Sequence, residues 1–264
     1  MIKAIREMNN RIKYQLRFIL IMLAGIYSAG VYSQEINLKM NNGLYALAEF
    51  HQGDADKPAV FIMHGILQTH HFSTIQRLGD FLSELGYTNL RPTITLGIDS
   101  RKKGLDCEAI HTHTMESDVD EITQWMNWLI QKTQKPIILL GHSAGASQLM
   151  AYLETQHRVK LPIQKVIFVS MAYFGNRPSS HATQQEIDRA RAELDAGKNM
   201  PGAYGFTYCP QYISTPQAYL SYINWSKEKV TASLQQINYP LVQLFGSGDK
   251  RIDPTWPEEL SGMG

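Results

Sequence analysis

Five consecutive residues, Gly141-His142-Ser143-Ala144-Gly145, form the pattern G-x-S-x-G. Ordinary glycine and serine usage produces it by chance in about one chain in ten of this length. Its surroundings carry more information than its letters. The apolar run Ile137-Ile138-Leu139-Leu140 reads as a buried strand directly before it, and a helical pattern follows to about Glu154. A serine on a sharp turn between strand and helix lifts its hydroxyl above the carboxyl end of a sheet, where it can attack a carbonyl carbon. Gly141 and Gly145 keep the space around that turn clear, and a helix opening at Ala144 aims backbone N–H groups at the same point. Attack on a carbonyl also needs donors for the developing oxyanion. His64-Gly65-Ile66 closes an earlier apolar run, Val60–Met63, so the expected donor pair is the N–H groups of Ile66 and Ala144.

The elements that must hold these residues alternate along the chain. After Val60–Met63, Ile75, Leu78, Phe81, Leu82 and Leu85 recur at helical spacing, and Gly86 marks a stop. A strand restarts from Tyr87 to Leu90. Val119, Ile122, Met126 and Leu129 form a second helical stripe, with Trp125 and Trp128 beside it as core packing. Val166–Val169 and Leu241–Phe245 read as further strands. This rhythm predicts an α/β protein, a mostly parallel sheet flanked by helices. It breaks between about 172 and 236, which reads as an insertion of two or more helices above the sheet. There Thr183-x-x-Glu186 is a capping box, Gly197 a helix stop and Pro216 a helix start, with a Gly-, Pro- and Tyr-rich loop over Met200–Tyr212 between them.

Taken together, the two motifs resemble those of the α/β-hydrolase fold superfamily in type, order and spacing, over nearly all of residues 34–264. The resemblance implies a serine hydrolase in which Ser143 forms an acyl-enzyme with a carboxylic ester or thioester. It implies an acid after the insertion, where Gly246-x-x-Asp249-x-x-Ile252 points to Asp249, with Asp253 the lesser candidate. It implies no cofactor. It also implies a general-base histidine beyond the acid, and here the sequence departs: all nine histidines lie at or before His181. His142 occupies an elbow position whose side chain points away from the serine in that family. His111 and His113 form a His-x-His without the rest of a metal-ligand set, so no metal is expected. One expectation is a C-terminally truncated piece of a longer hydrolase, missing a strand, the histidine and a last helix. The other is a catalytically dead, binding protein on the same fold. Either way, this form is expected to have little esterase activity, with His111, His113 or His181 the only unusual bases left.

Composition agrees with a globular chain: 264 residues, 44% hydrophobic and 19% charged, long enough for a core without staples. The net charge of +1 conceals an asymmetry. Residues 1–33 carry Lys3, Arg6, Arg11, Lys13 and Arg17 against Glu7, leaving 20 basic and 23 acidic side chains in the remainder. A mildly acidic body argues against nucleic acid as partner. The basic start, the apolar run Phe18–Val31 and the exit Val31-Tyr32-Ser33 read as a secretory signal peptide over 1–33, too short for a stable membrane anchor. Export would place the protein in the periplasm or outside the cell, where Cys107 and Cys209 either pair or remain as two buried thiols. The aromatic residues of the insertion, Tyr173 to Trp225, either line a pocket or pack the insertion on itself.

Overall fold

The computed structural model describes residues 33–156 and 159–262. The expected signal peptide lies outside them apart from Ser33, which opens the first strand.

The apolar runs at 60–63, 137–140, 166–169 and 241–244 all lie in strands of one seven-stranded sheet. In chain order its strands are β1 (Ser33–Lys39), β2 (Tyr45–His51), β3 (Ala59–Met63), β4 (Thr88–Thr93), β5 (Ile137–His142), β6 (Ile163–Val169) and β9 (Leu241–Leu244), arranged β1-β2-β4-β3-β5-β6-β9. From β4 to β9 every neighbour is parallel, while β1 and β2 form an antiparallel margin. β3 and β5 sit in the middle, covered on both faces, which is why their sequences are apolar throughout rather than alternating.

Alternate residues of β3 still serve different helices. Val60 and Ile62 join Leu140 against α1 (Ser73–Glu84), through Ile75, Leu78 and Leu82. Phe61 and Met63 face the larger core, built with α2 (Met115–Thr133) and α3 (Ala144–Thr155). Val119, Ile122, Met126 and Leu129 are the buried stripe of α2, and Trp125 is fully buried beside them. On α1 the apolar stripe is narrower than its spacing predicts. Phe81 and Leu85 are about half exposed, because one sheet face accepts only a single row of that short helix.

Between β6 and β9 the chain builds α4 (Gln184–Asp195), a hairpin of β7 (Gly202–Phe206) and β8 (Cys209–Ser214), α5 (Pro216–Ile223) and α6 (Lys227–Gln235). The hairpin corrects the sequence expectation of a loop over 200–212. Glycine and proline content suggested a loop, but Tyr204, Phe206 and Tyr212 alternate inward and are buried, as strand residues do. The helix limits are closer to expectation: Thr183 caps α4 in a reciprocal box with Glu186, and Thr215 caps α5 ahead of Pro216. Cys107, in the segment after β4, is bonded to Cys209. The same segment runs beside β8, with the His111 N–H donating to Ile213 O at 2.8 Å. A short helix, α7 (Trp256–Ser261), follows β9. Among the described residues no helix is long and apolar enough to cross a membrane.

Candidate active site

Ser143 sits between β5 and α3 at φ 55° and ψ −126°, a backbone conformation that costs a non-glycine residue on the order of 1–3 kcal/mol. The turn is held from both sides. The Ser143 N–H donates to Val169 O on β6 at 2.8 Å, and its carbonyl accepts from Ala146 N at 2.9 Å. The flanking glycines are required by close approach. A Cβ on Gly145 would lie 2.4 Å from His64 O, and one on Gly141 would lie 2.6 Å from Ala146 Cα. On Gly65 it would stand 3.3 Å from Ser143 Cβ, so the two motifs meet directly.

The second motif is a tight turn at the end of β3. Gln68 N donates to Gly65 O at 3.2 Å, and Gly65 N donates to the Gln68 side chain at 3.1 Å. Leu67, at φ 58°, takes the left-handed position in that turn. His64 anchors it from beneath. Ile94 N–H donates to His64 Nε2 at 3.3 Å, which leaves Nδ1 to donate to Gly65 O at 2.8 Å. Complete burial pushes the His64 imidazole down to about 3, with Arg101 adding to the effect, so it is neutral. Among the described residues, neither the Ile66 nor the Ala144 N–H donates to a protein acceptor. Both residues line one pocket with Ser143. Two backbone donors without a protein partner beside a serine can receive an oxyanion.

Asp249 lines the same pocket, in the turn after β9. Its carboxylate is about one-fifth exposed and accepts the Arg251 N–H at 3.0 Å. Asp253 is occupied elsewhere. It is buried, takes the Ser179 N–H and hydroxyl at 3.2 and 2.8 Å, and faces Arg177 at 3.6 Å. Of the two sequence candidates, Asp249 is the one brought to Ser143's pocket.

Among the described histidines His142 alone lines that pocket. Burial lowers its pKa, Arg251 lowers it further, and Asp249 opposes both. His111 and His113 lie instead in a buried contact between the insertion and α2. His111 stacks on Tyr212 with ring centroids 4.2 Å apart, and His113 Nδ1 is 2.8 Å from Tyr222 Oη. The Tyr222 hydroxyl donates to Asp118, which also accepts from Gln148 at 2.6 Å. His181 stays exposed at the hairpin, its N–H on Thr207 O. No three His, Cys, Asp or Glu side chains among the described residues are grouped to hold a metal ion.

The aromatic residues of the insertion divide in two. Tyr173, Phe174 and Tyr208 line the pocket, whereas Tyr204, Phe206, Tyr212, Tyr219 and Tyr222 are buried and pack on one another, with Phe174 joining the two groups through its contacts to Phe206 and Tyr222. Two site contacts were not foreseen from the sequence. The Tyr208 hydroxyl donates to Ile66 O at 3.3 Å. The buried Arg101 guanidinium donates to the carbonyls of Ile94, Leu67, Lys103 and Gln68, at 2.6–3.5 Å, and so fixes the turn that carries Ile66. Arg101 stands in Asp99-Ser100-Arg101-Lys102-Lys103, a charge run that reads as solvated surface and gives no signal of an anchor.

No family model and no curated protein matches the sequence. Solved structures do match. The alpha/beta hydrolase GrgF from Penicillium sp. sh18 superposes with a TM-score of 0.58 at 13% identity, over 88% of this chain and 96% of its own. The chain has the α/β-hydrolase fold. Est1E from Butyrivibrio proteoclasticus gives 0.57 at 15% identity, covering 88% of this chain and 84% of that one. A thioesterase domain from the curacin biosynthetic pathway gives 0.55 at 15% identity, over 88% and 89%. In this α/β-hydrolase fold Ser143 follows β5 and Asp249 follows β9, two parallel strands separated by β6, and both residues stand beyond the carboxyl ends, where open α/β sheets bind their ligands.

Proposed function

We propose that the protein is an exported serine hydrolase that cleaves a carboxylic ester or thioester through an acyl-Ser143 intermediate. The observation that carries this reading is the strained Ser143 in one pocket with the free N–H groups of Ile66 and Ala144. Ser143 Oγ attacks the carbonyl carbon, and the two N–H groups receive the negative oxygen of the tetrahedral intermediate. The hydroxyl proton passes to a base, the alcohol or thiol leaves protonated, and water then releases the acid by the same route. Asp249 is the acid that orients and charge-stabilises the base. The names of the neighbours, an alpha/beta hydrolase and a thioesterase domain, support the same bond class. Export is supported by the basic-then-apolar sequence of residues 1–33 and by the Cys107–Cys209 disulfide, a bond that oxidising compartments preserve.

One observation favours a second reading, a non-catalytic binding protein. Among the described residues His142 is the sole histidine that lines the pocket. Reaction with a fluorophosphonate probe separates the two. In the full-length protein the hydrolase reading expects labelling that disappears in Ser143→Ala, together with hydrolysis of a short-chain aryl ester that the same substitution removes. Absence of labelling in the folded protein decides for binding, and labelling that survives the substitution moves the nucleophile elsewhere.

A further inference from the structure

Beside the Ser143 pocket lies a second groove, between the Ile66 turn and the segment that follows β4. The two share Gln68, Tyr208 and Arg251, so they are one continuous depression. The groove is lined by apolar Leu67, Phe72 and Leu105 and by basic Lys102, Lys103 and Arg251, with no carboxylate among its lining residues. Among the described residues two carboxylates pair with its cations. Lys102 Nζ is 3.5 Å from Glu35 across an exposed gap, and Arg251 Nε is 3.7 Å from Asp249 in the neighbouring pocket. Pairs this open contribute little and are readily exchanged for another anion. Lys103 is exposed, and no ion pair to it is formed among the described residues. The backbone beneath does not yield, because Arg101 donates to Lys103 O at 3.0 Å and to Gln68 O at 2.8 Å from its buried position. Phe72, beside it, is an aromatic side chain more than one-third exposed.

An apolar lining with three cations on a mildly acidic body is complementary to one ligand chemistry, an amphiphile carrying an anionic group. We propose that this groove is the subsite for a phosphate or carboxylate group on the substrate, and that Lys102, Lys103 and Arg251 select anionic esters over neutral ones. The proposal rests on the hydrolase reading for the word substrate, but the binding it requires does not depend on turnover.

The test therefore uses the full chain carrying Ser143→Ala, titrated by calorimetry with hexyl phosphate, hexanoate and hexanol. The phosphate, the carboxylate or both should bind at least about tenfold more tightly than hexanol at low salt, and should weaken as salt rises toward about 0.5 M. Binding of hexyl phosphate alone identifies a phosphoester substrate, and equal binding of both anions identifies a general anionic one. Adding Lys102→Gln with Lys103→Gln should weaken anion binding by about tenfold or more while the melting temperature stays within about 2 °C, since both side chains are exposed. Equal affinity for hexanol, or an unchanged affinity in the doubly substituted chain, overturns the proposal. Anion binding by this chain, without fluorophosphonate labelling of the unsubstituted protein, upholds the groove and removes the hydrolase reading, whereas labelling of the unsubstituted protein without anion binding does the reverse.

Discussion

The hydroxyl of Tyr208, at the tip of the β7–β8 hairpin, donates to the carbonyl oxygen of Ile66 at 3.3 Å, across 142 residues of sequence. It joins the β7–β8 hairpin to the peptide that follows Ile66, a residue lining the Ser143 pocket. Tyr208→Phe removes this bond and leaves the ring. The expected result is a fluorophosphonate labelling rate lowered up to about tenfold, the value of one neutral hydrogen bond. The melting temperature should stay within about 2 °C, since Tyr208 is 44% exposed. Loss of stability without loss of rate would assign the contact a packing role alone.

Arg101 acts on the same turn from below. Arg101→Met removes the guanidinium from the carbonyls of Ile94, Lys103 and Gln68, while Leu67 O keeps the Leu105 N–H, at a cost of about 3 kcal/mol or more. Urea unfolding measures the loss. Arg101→Lys should recover only part of it, because one ammonium cannot reach the directions that a guanidinium fork spans.

Gly145→Ala places a methyl group 2.4 Å from His64 O and 2.7 Å from Met63 O, both backbone atoms. The strand β3 and the turn of Ser143 must separate to admit it. A destabilisation of about 1–3 kcal/mol is expected, and labelling of Ser143 should fall with it.

Stability should fall on acidification below neutrality. Burial pushes His64 and His70 down to about 3 and His111 to about 4, from an ordinary value of 6.5. Below pH 6.5 the unfolded chain therefore binds protons that the folded chain refuses. The stabilisation from these three groups is whole above pH 6.5 and declines as pH falls toward 4. Glu121 runs the other way. Burial lifts it to about 7 from 4.5, so its contribution is present below pH 4.5 and lost as pH rises through 7. Three imidazoles outweigh one carboxylate, so the urea midpoint at pH 5 should lie below that at pH 7. Glu121→Gln, by removing the opposing group, should steepen the decline.

Replacing Cys107 and Cys209 together with serine should cost a few kcal/mol, at most about 4–5 in the chain-entropy account of so long a loop. Hydrogen exchange should show the protection lost first in β8, where the 107–111 segment runs alongside.

The parts of the molecule legible in the sequence were those written in short-range pattern. Ile137–Leu140 followed by Gly-x-Ser-x-Gly fixed both an element boundary and the position of Ser143, because a sharp turn between strand and helix has few solutions. Asp249 was legible through its glycine-rich turn, and the structure places it in the pocket. The hairpin was not, since the alternation of Tyr204, Phe206 and Tyr212 is masked by Gly202, Gly205 and Pro210. Strands β1 and β2 also escaped: β1 is mostly exposed and polar, and the apolar stretch of β2 is small and broken by Glu49. Arg101 and Tyr208 act on carbonyls far away in sequence, a relation that only the fold creates.

The Cys107–Cys209 bond turns 102 residues of sequence separation into a covalent ring. Ser143 lies inside the ring, while Ile66 lies on the chain leading into it and Asp249 on the chain leading out. A protease that nicks the backbone anywhere between the two cysteines would therefore open the ring without releasing a fragment. The three parts of the pocket would remain tethered as one molecule after a single cut, so a nicked chain and an intact one would run apart only after reduction.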